Sequence, residues 1–135
     1  MPEEDCPILD EQKENRGVLR WGRDFLHDSG KIVIGIQHIP ADRAPNLPPD
    51  NKPYWVINEP YRSREINLLH KLGVRHMLVG HWHVGVVFQG DGITWHVALS
   101  TSRLLPWSGQ LGFAMHTISR DGDVRTEFVP MNAEP

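Results

Sequence analysis

Hydrophobic residues follow two periodicities along the chain, and their order predicts an α/β layered fold. Residues 11–28 carry apolar side chains three, four and seven positions apart, which is typical of an amphipathic helix. Residues 32–36 then form an unbroken apolar run rich in β-branched side chains, which favours a strand buried on both faces. Because the helix leads directly into this strand, the pattern indicates helices packed against a sheet.

The same order of elements recurs after a long connection. Residues 40–60 contain six prolines and predict a loop, and a loop of this length is usually functional or mobile. Asn58 is expected to cap a second helix, which Gly73 ends. The buried stripe of this helix is assigned to Ile66, Leu69 and Leu72. Residues 74–79 then predict a second buried strand, so the first part of the chain predicts parallel strands joined through a helix.

The last third of the chain has the pattern of antiparallel hairpins. Residues 84–89 and 93–99 read as two strands joined by a turn at Gly90-Asp91-Gly92. A second pair follows at residues 111–118 and 124–129, with Asp121-Gly122 in its turn. The predicted fold is therefore α/β, with a mixed sheet that ends in antiparallel hairpins.

Length and composition indicate one globular domain. The chain has 135 residues, of which 39% are hydrophobic, enough for a single core. We expect residues 1–12 to form a flexible lead-in, residues 13–131 the domain, and residues 132–135 a tail. One cysteine, Cys6, rules out an internal disulfide framework.

Charge and hydropathy exclude two classes of partner. The formal net charge is −3 and no basic stripe stands out, so the sequence predicts no nucleic-acid-binding patch. No apolar run approaches the length of a membrane span, so no membrane partner is expected. The first five residues are acidic and no apolar segment resembling a secretory signal follows them. We therefore expect a cytoplasmic protein.

Histidines stand directly after both predicted buried strands. His38 follows the first strand, and the second runs into Gly80-His81-Trp82-His83. Ligands in open α/β sheets collect beyond the carboxyl ends of the strands, and imidazoles held there can converge on a metal ion. The alternative for each histidine is an ordinary surface or hydrogen-bonded residue.

The other candidate residues have equally plain alternatives. We expect the remaining histidines to be packed or solvent-facing: His27 and His70 near helix ends, and His76, His96 and His116 in strands. Four loop residues could contact a phosphate or an aromatic leaving group, with loop packing as the favoured role: Tyr54, Trp55, Arg103 and Trp107.

Two of these segments together resemble a known family. The run Ile34-Gly35-Ile36-Gln37-His38-Ile39-Pro40, followed by Val79-Gly80-His81-Trp82-His83, is similar to the last two motifs of the calcineurin-like metallophosphoesterases. The closest branch is that of the calcineurin-like phosphoesterase domain proteins, some of which are Ser/Thr protein phosphatases. The resemblance covers residues 18–129. It implies the C-terminal half of a four-layer α/β/β/α sandwich.

The resemblance also implies a chemistry and a set of ligands. The family hydrolyses phosphomonoesters or phosphodiesters with a hydroxide that bridges two divalent ions, such as Mn, Fe or Zn. Carried over by motif, His38 and His81 would bind one ion of this dinuclear site and His83 the other. Trp82 would line the site or serve only in packing. Together with Arg103, one of the four loop residues above, it is a candidate for binding the phosphoester substrate.

Several family motifs are absent from this sequence. The expected Asp-x-His and Gly-Asn-His do not occur, and the Gly-Asp pairs stand too late in the chain. No catalytic residue is therefore identified. Three neutral imidazoles cannot offset the charge of two divalent ions, so we expect weak, mononuclear metal binding. The first sheet of the sandwich is also missing, which should leave an apolar face of the remaining sheet unpaired.

Three accounts of the missing half remain open. The chain is part of a longer enzyme, it forms a homodimer around a degenerate site, or a separately encoded N-terminal half completes it. Two alternatives to a phosphoesterase are also open. One is a non-catalytic metal-binding or dimeric scaffolding remnant of the fold. The other is a mononuclear three-histidine site with an open position.

Overall fold

The structure is a computed structural model that describes residues 31–131. Backbone contacts assign residues 32–135 to one compact unit. The helix predicted at residues 11–28, the domain boundary predicted after residue 12 and the tail predicted at residues 132–135 lie outside the described residues.

A mixed four-stranded sheet forms the centre of the described unit. Its strands are β1 (Ile34–Ile36), β2 (His76–Val79), β3 (Val86–Gly90) and β4 (Ile93–Val97). They lie in the order β1-β2-β4-β3, with β1 and β4 parallel to β2 and β3 antiparallel to β4. This arrangement confirms the predicted α/β class and the mixed sheet.

Both predicted hairpins are present. Strands β3 and β4 are joined by Asp91 and Gly92 alone, because Gly90 pairs with Ile93 and belongs to the strand. Asp91 has φ 53° and Gly92 φ 74°, the two positive values that a tight hairpin turn requires. The second hairpin, β5 (Gly112–Ile118) and β6 (Val124–Pro130), forms a separate antiparallel sheet.

The helix α1 (Tyr61–Lys71) connects β1 to β2 and packs on the sheet with Ile66 and Leu69. The prediction that Asn58 caps it is wrong. Pro60 occupies the cap position, and the Asn58 side-chain amide donates to the carbonyl oxygens of the preceding turn. Gly73, at φ 73°, follows the helix end as predicted. No helix within residues 31–131 has the length and apolar content that a membrane crossing requires.

The core lies on the face of the sheet that α1 covers. Trp82 and Trp95 are fully buried, and Phe88 lies between their ring systems in stacked contacts of 5.5 and 6.4 Å. The other core residues are aliphatic and come from the strands, α1 and the long loop: Ala41, Ala44, Ile66, Leu69, Val74, Met77, Val79, Ile93 and Val97. Burial of large aromatic side chains dominates such cores.

Strand β1 differs from its prediction, because it is not buried on both faces. It pairs only with β2 among the described strands, and the Ile36 side chain is 80% exposed. Ile36 pairs with Leu78, and both residues lie on the face of the sheet opposite to that of Met77. Its exposure follows from the absence of any described element over that part of the sheet.

The long proline-rich loop is anchored at its base. The Ile57 backbone N–H donates to the Pro40 carbonyl oxygen at 3.0 Å, which closes the loop. The Arg62 guanidinium on α1 pairs with Asp42 in the loop and with Asp91 in the β3–β4 turn. Burial and the neighbouring Asp91 carboxyl raise the pKa of Asp42, and Arg62 opposes this. These contacts hold the loop in place above the sheet.

Candidate metal centre

The parallel pairing of β1 and β2 brings two of the predicted ligands together. Both strands end at the same edge of the sheet, where the Gly80 N–H donates to the His38 carbonyl oxygen at 2.9 Å. The rings of His38 and His81 then lie 5.0 Å apart between centroids, at an interplanar angle of 69°. The convergence expected for strand-end histidines is therefore present for this pair.

A tight turn presents His81 and His83. The Trp82 N–H donates to the Gly80 carbonyl oxygen at 2.9 Å, which closes a three-residue turn around His81. His81 has φ 73° and His83 φ 56°, conformations that non-glycine residues rarely adopt. Each costs about 1–3 kcal/mol and persists only where its surroundings enforce it, which is frequent at functional sites.

Backbone carbonyls hold one ring nitrogen of each histidine in this turn. His81 Nε2 lies 2.9 Å from the Tyr54 carbonyl oxygen, and His83 Nδ1 lies 2.8 Å from that of Arg103. A carbonyl oxygen only accepts, so these nitrogens carry the protons in neutral rings. His81 Nδ1 and His83 Nε2 therefore keep their lone pairs. Metal-binding histidines commonly have this arrangement, with the second nitrogen fixed by a carbonyl or carboxylate.

Three indoles tie the turn to the loops around it. Trp82 Nε1 donates to the Trp55 carbonyl oxygen at 2.7 Å, and Trp107 Nε1 donates to the Trp82 carbonyl oxygen at 2.9 Å. The rings of Trp55 and Trp107 meet edge to face, 5.2 Å apart. Trp82 itself is fully buried, with its ring stacked on that of Phe88. This network enforces the backbone of His81 and His83.

The surroundings of His81 favour its neutral form. Burial lowers the pKa of His81, and the neighbouring His38 and His83 rings add to this, while the Tyr54 carbonyl opposes it. Neutral imidazole is the form that binds a metal ion. At neutral pH the surroundings of His81 therefore favour the form of its ring that can bind a metal ion.

The fit of a metal ion to these residues is partial. The contact between the rings of His38 and His81 and the free Nδ1 of His81 are compatible with a pair of imidazole ligands. No group of three or more His, Cys, Asp or Glu side chains within residues 31–131 has an arrangement that could hold a metal ion. His83 stands in the same turn, but among the described residues no ring contact joins it to His38 or His81. The part of the chain that the structure describes thus brings two imidazole rings together, with no carboxylate grouped beside them.

The loop residues considered for substrate binding lie around the turn. Arg103 is exposed, and no hydrogen bond or ion pair joins its guanidinium to another described residue. The Tyr54 side chain is 66% exposed, with its ring 4.7 Å from that of His81. Trp55 and Trp107 are half-buried.

A second histidine cluster, which the sequence did not predict, joins the two sheets. Nδ1 of His76 lies 3.0 Å from Nε2 of His96, and the Thr126 hydroxyl lies 2.6 Å from His96 Nδ1 and 2.8 Å from His116 Nδ1. His96 is 1% exposed. Its burial, followed by the neighbouring His76 and His116, lowers its pKa to about 4.

The sequence carries one signal against this cluster and one for it. Thr94 and His96 alternate with Ile93, Trp95 and Val97 along β4, so the pattern puts His96 on a polar face and gives no sign of its burial. His116 and Thr126 occupy opposite positions of the predicted hairpin and pair directly. The contact between His96 and this hairpin depends on tertiary packing, which periodicity does not reveal.

Comparison with known proteins adds no relative to this description. No protein-family model matches the chain, and no curated protein matches it.

Proposed function

We propose that the chain carries part of the active site of a metal-dependent phosphoesterase, with His38 and His81 as ligands of a divalent ion. The observation that carries the proposal is the meeting of these two rings, 5.0 Å apart, at the carboxyl ends of adjacent parallel strands. The strained turn at His81 and the carbonyl that fixes its Nε2 support the same role. The motif resemblance supplies the reaction class.

The residues of this chain have separate tasks in that reaction. Mn, Fe or Zn, when bound, would polarise a phosphoryl oxygen and lower the pKa of a bound water molecule. His38 and His81 would hold the ion, and the backbone carbonyl of Tyr54 would orient the His81 ring. Arg103 is exposed beside His83 and would pair with phosphate oxygens, for which a guanidinium is well suited. His83 would bind a second ion through its free Nε2.

The site would need carboxylates from elsewhere to bind two ions. The described part of the chain has no carboxylate grouped with these histidines. Exposure of Ile36 on the β1 face supports docking of further chain there, as in a four-layer sandwich of which this unit is the C-terminal half. A second copy of the chain and an N-terminal half of the enzyme are the two sources we propose for the missing groups.

The second candidate is a non-catalytic metal-binding or scaffolding remnant of the same fold. It is favoured by the same lack of convergent carboxylates, because imidazoles alone suit one ion and not a bridging hydroxide. Metal binding without hydrolysis would separate it from the enzyme.

The experiment is hydrolysis of p-nitrophenyl phosphate and its bis-ester by the full chain with Mn²⁺, against His81→Ala. His70→Ala, at an exposed histidine on α1, is the matched control. The phosphoesterase predicts activity in the wild type and in His70→Ala, and loss in His81→Ala. Metal binding that depends on His81 but gives no hydrolysis would favour the remnant. Absence of His81-dependent metal binding would overturn both.

A further inference from the structure

An exposed aromatic ring stands directly beside the candidate metal ligand. The Tyr54 ring lies 4.7 Å from the ring of His81 between centroids, and its side chain is 66% exposed. Isolated exposed tyrosines are common on protein surfaces, so exposure alone does not indicate a function. What distinguishes Tyr54 is the position of its ring against His81.

The backbone fixes that position. The Tyr54 carbonyl oxygen receives the hydrogen bond of His81 Nε2 at 2.9 Å, so the residue that orients the ligand also places its own ring against it. Tyr54 belongs to a short 3-10 turn, Pro53–Trp55, at the tip of the anchored loop. The next residue, Trp55, holds Trp82 through its carbonyl oxygen. The loop is therefore attached to the His81 turn through the carbonyls of two successive residues, Tyr54 and Trp55.

Tyr54 is also the exposed end of an aromatic row, which we define as Tyr54, Trp55 and Trp107. Tyr54 meets Trp55 edge to face at 4.9 Å, and Trp55 meets Trp107 edge to face at 5.2 Å. Trp55 also contacts His81, at 5.2 Å. Trp55 and His81 thus contact the Tyr54 ring, while most of the residue stays exposed to a partner.

We infer that Tyr54 determines substrate specificity by stacking on a planar aromatic group of the phosphoester, so that the site prefers aryl or nucleobase-bearing esters to aliphatic ones. This inference rests on the proposed function, because the phosphoryl group must be held at His38 and His81. An aromatic group next to that phosphoryl group then meets the Tyr54 ring, whereas a small alkyl group gains little from it. Stacking on aromatic side chains tolerates many ring types, which is why an aryl ring and a nucleobase share this chemistry.

The test measures ligand binding, so that it does not depend on turnover. Dissociation constants of phenylphosphonate and methylphosphonate are measured by ligand-observed NMR with the zinc-loaded full chain. A second pair, adenosine 5′-monophosphate and ribose 5-phosphate, distinguishes a nucleobase from a simple aryl ring. The variants are Tyr54→Leu and, as the matched control, Tyr61→Leu, a tyrosine on α1 that is 41% exposed. Tyr54→Leu keeps the backbone carbonyl that orients His81, and unchanged zinc affinity confirms this.

We expect the wild type to bind phenylphosphonate about fivefold more tightly than methylphosphonate, a ratio typical of one aromatic contact. The ratio should fall to about one in Tyr54→Leu and persist in Tyr61→Leu. A larger preference in the nucleotide pair would identify a nucleobase as the natural group. Zinc binding with equal affinities for the first pair, or with no phosphonate binding, would overturn this inference alone. Failure of zinc to bind would overturn the proposed function and this inference with it.

Discussion

Two groups of three histidines occupy the described unit, and their ring nitrogens have different kinds of partner. The strand-end histidines are His38, His81 and His83, and the inter-sheet histidines are His76, His96 and His116. In the first group, His81 and His83 each bond one backbone carbonyl and keep the other nitrogen free. In the second, the rings bond one another and Thr126. The inter-sheet group is thus held by contacts between side chains, and within the described residues only His96 has partners for both ring nitrogens, which indicates a structural role for it.

The difference follows from where the residues stand on their strands. The inter-sheet histidines lie within β2, β4 and β5, where side chains face another layer and buried polar groups need protein partners. The strand-end histidines lie just beyond β1 and β2, where the backbone leaves the sheet and side chains face the edge. Histidine content alone is therefore a poor guide to function, and position relative to strand ends is a better one.

The largest effect should come from breaking the inter-sheet group at its centre. His96→Ala removes a fully buried ring, leaves His76 Nδ1 without its partner and leaves Thr126 with His116 alone. We expect a loss of about 3–4 kcal/mol in the free energy of unfolding, from the cavity and the lost hydrogen bonds. Urea denaturation measures it. His38→Ala, at an exposed histidine of the other group, should cost below about 1 kcal/mol. Equal losses in both variants would contradict the comparison.

The second largest effect should come from acid, which is expected to lower the stability that the inter-sheet histidines contribute. The pKa of His96 is lowered from 6.5 to about 4 in the folded protein, so the unfolded chain binds more protons between these values. The stability that depends on neutral His96 is complete above pH 6.5 and is lost as the pH falls towards 4. The loss is at most about 3 kcal/mol. Burial also lowers the pKa values of His76 and His116, in the same direction.

Urea denaturation at several pH values between 7 and 4 checks this prediction. The His96→Leu variant is the control, because it lacks the titrating ring, and its stability should fall less over the same interval. A wild-type stability that stays constant between pH 6.5 and 4 would show that His96 is not held neutral by its surroundings.

A smaller loss is expected where the hairpin meets the sheet. Thr126→Val keeps the shape of the side chain but removes the hydroxyl that contacts His96 and His116. We expect a cost of about 1–2 kcal/mol in unfolding free energy. Thr117→Val, at an exposed position of the same hairpin, should change stability by less than about 0.5 kcal/mol. Matching values for the two valine variants would rule out the hydroxyl as a link between the sheets.

The smallest change in stability is expected from a variant beside the strand-end histidines. Trp107→Phe removes the indole N–H that donates to the Trp82 carbonyl oxygen between His81 and His83. We expect about 1 kcal/mol of lost stability and, as outer contacts of metal ligands usually give, about tenfold weaker metal binding. Zinc competition titration measures the affinity. Unaltered zinc affinity would mean that Trp107 only packs.

The sequence predicted the elements whose signals are local. The Asp91-Gly92 turn, the alternation in β5 and β6, and the end of α1 at Gly73 depend on neighbouring residues, and the structure has all three. The exposure of Ile36 was not predictable, because an apolar run predicts burial without naming what covers it.

In the candidate site, too, some features were predictable from the sequence and others were not. The convergence of His38 and His81 followed from their places after parallel strands. The carbonyls of Tyr54 and Arg103 that orient the rings come from distant loops, and no pattern in the sequence connects them to the turn. The inter-sheet contact between His96 and Thr126 spans 30 residues and was missed for the same reason.

The most direct test of the account is a calorimetric zinc titration of the full chain and of three variants. The strand-end variants are His38→Ala and His81→Ala, and the inter-sheet variant is His116→Ala, a partly buried ring with one hydrogen bond. The account predicts that zinc binding weakens by at least about tenfold in both strand-end variants and stays near the wild-type value in His116→Ala. Zinc affinity that is unchanged by the strand-end substitutions, or lost only in His116→Ala, would contradict it.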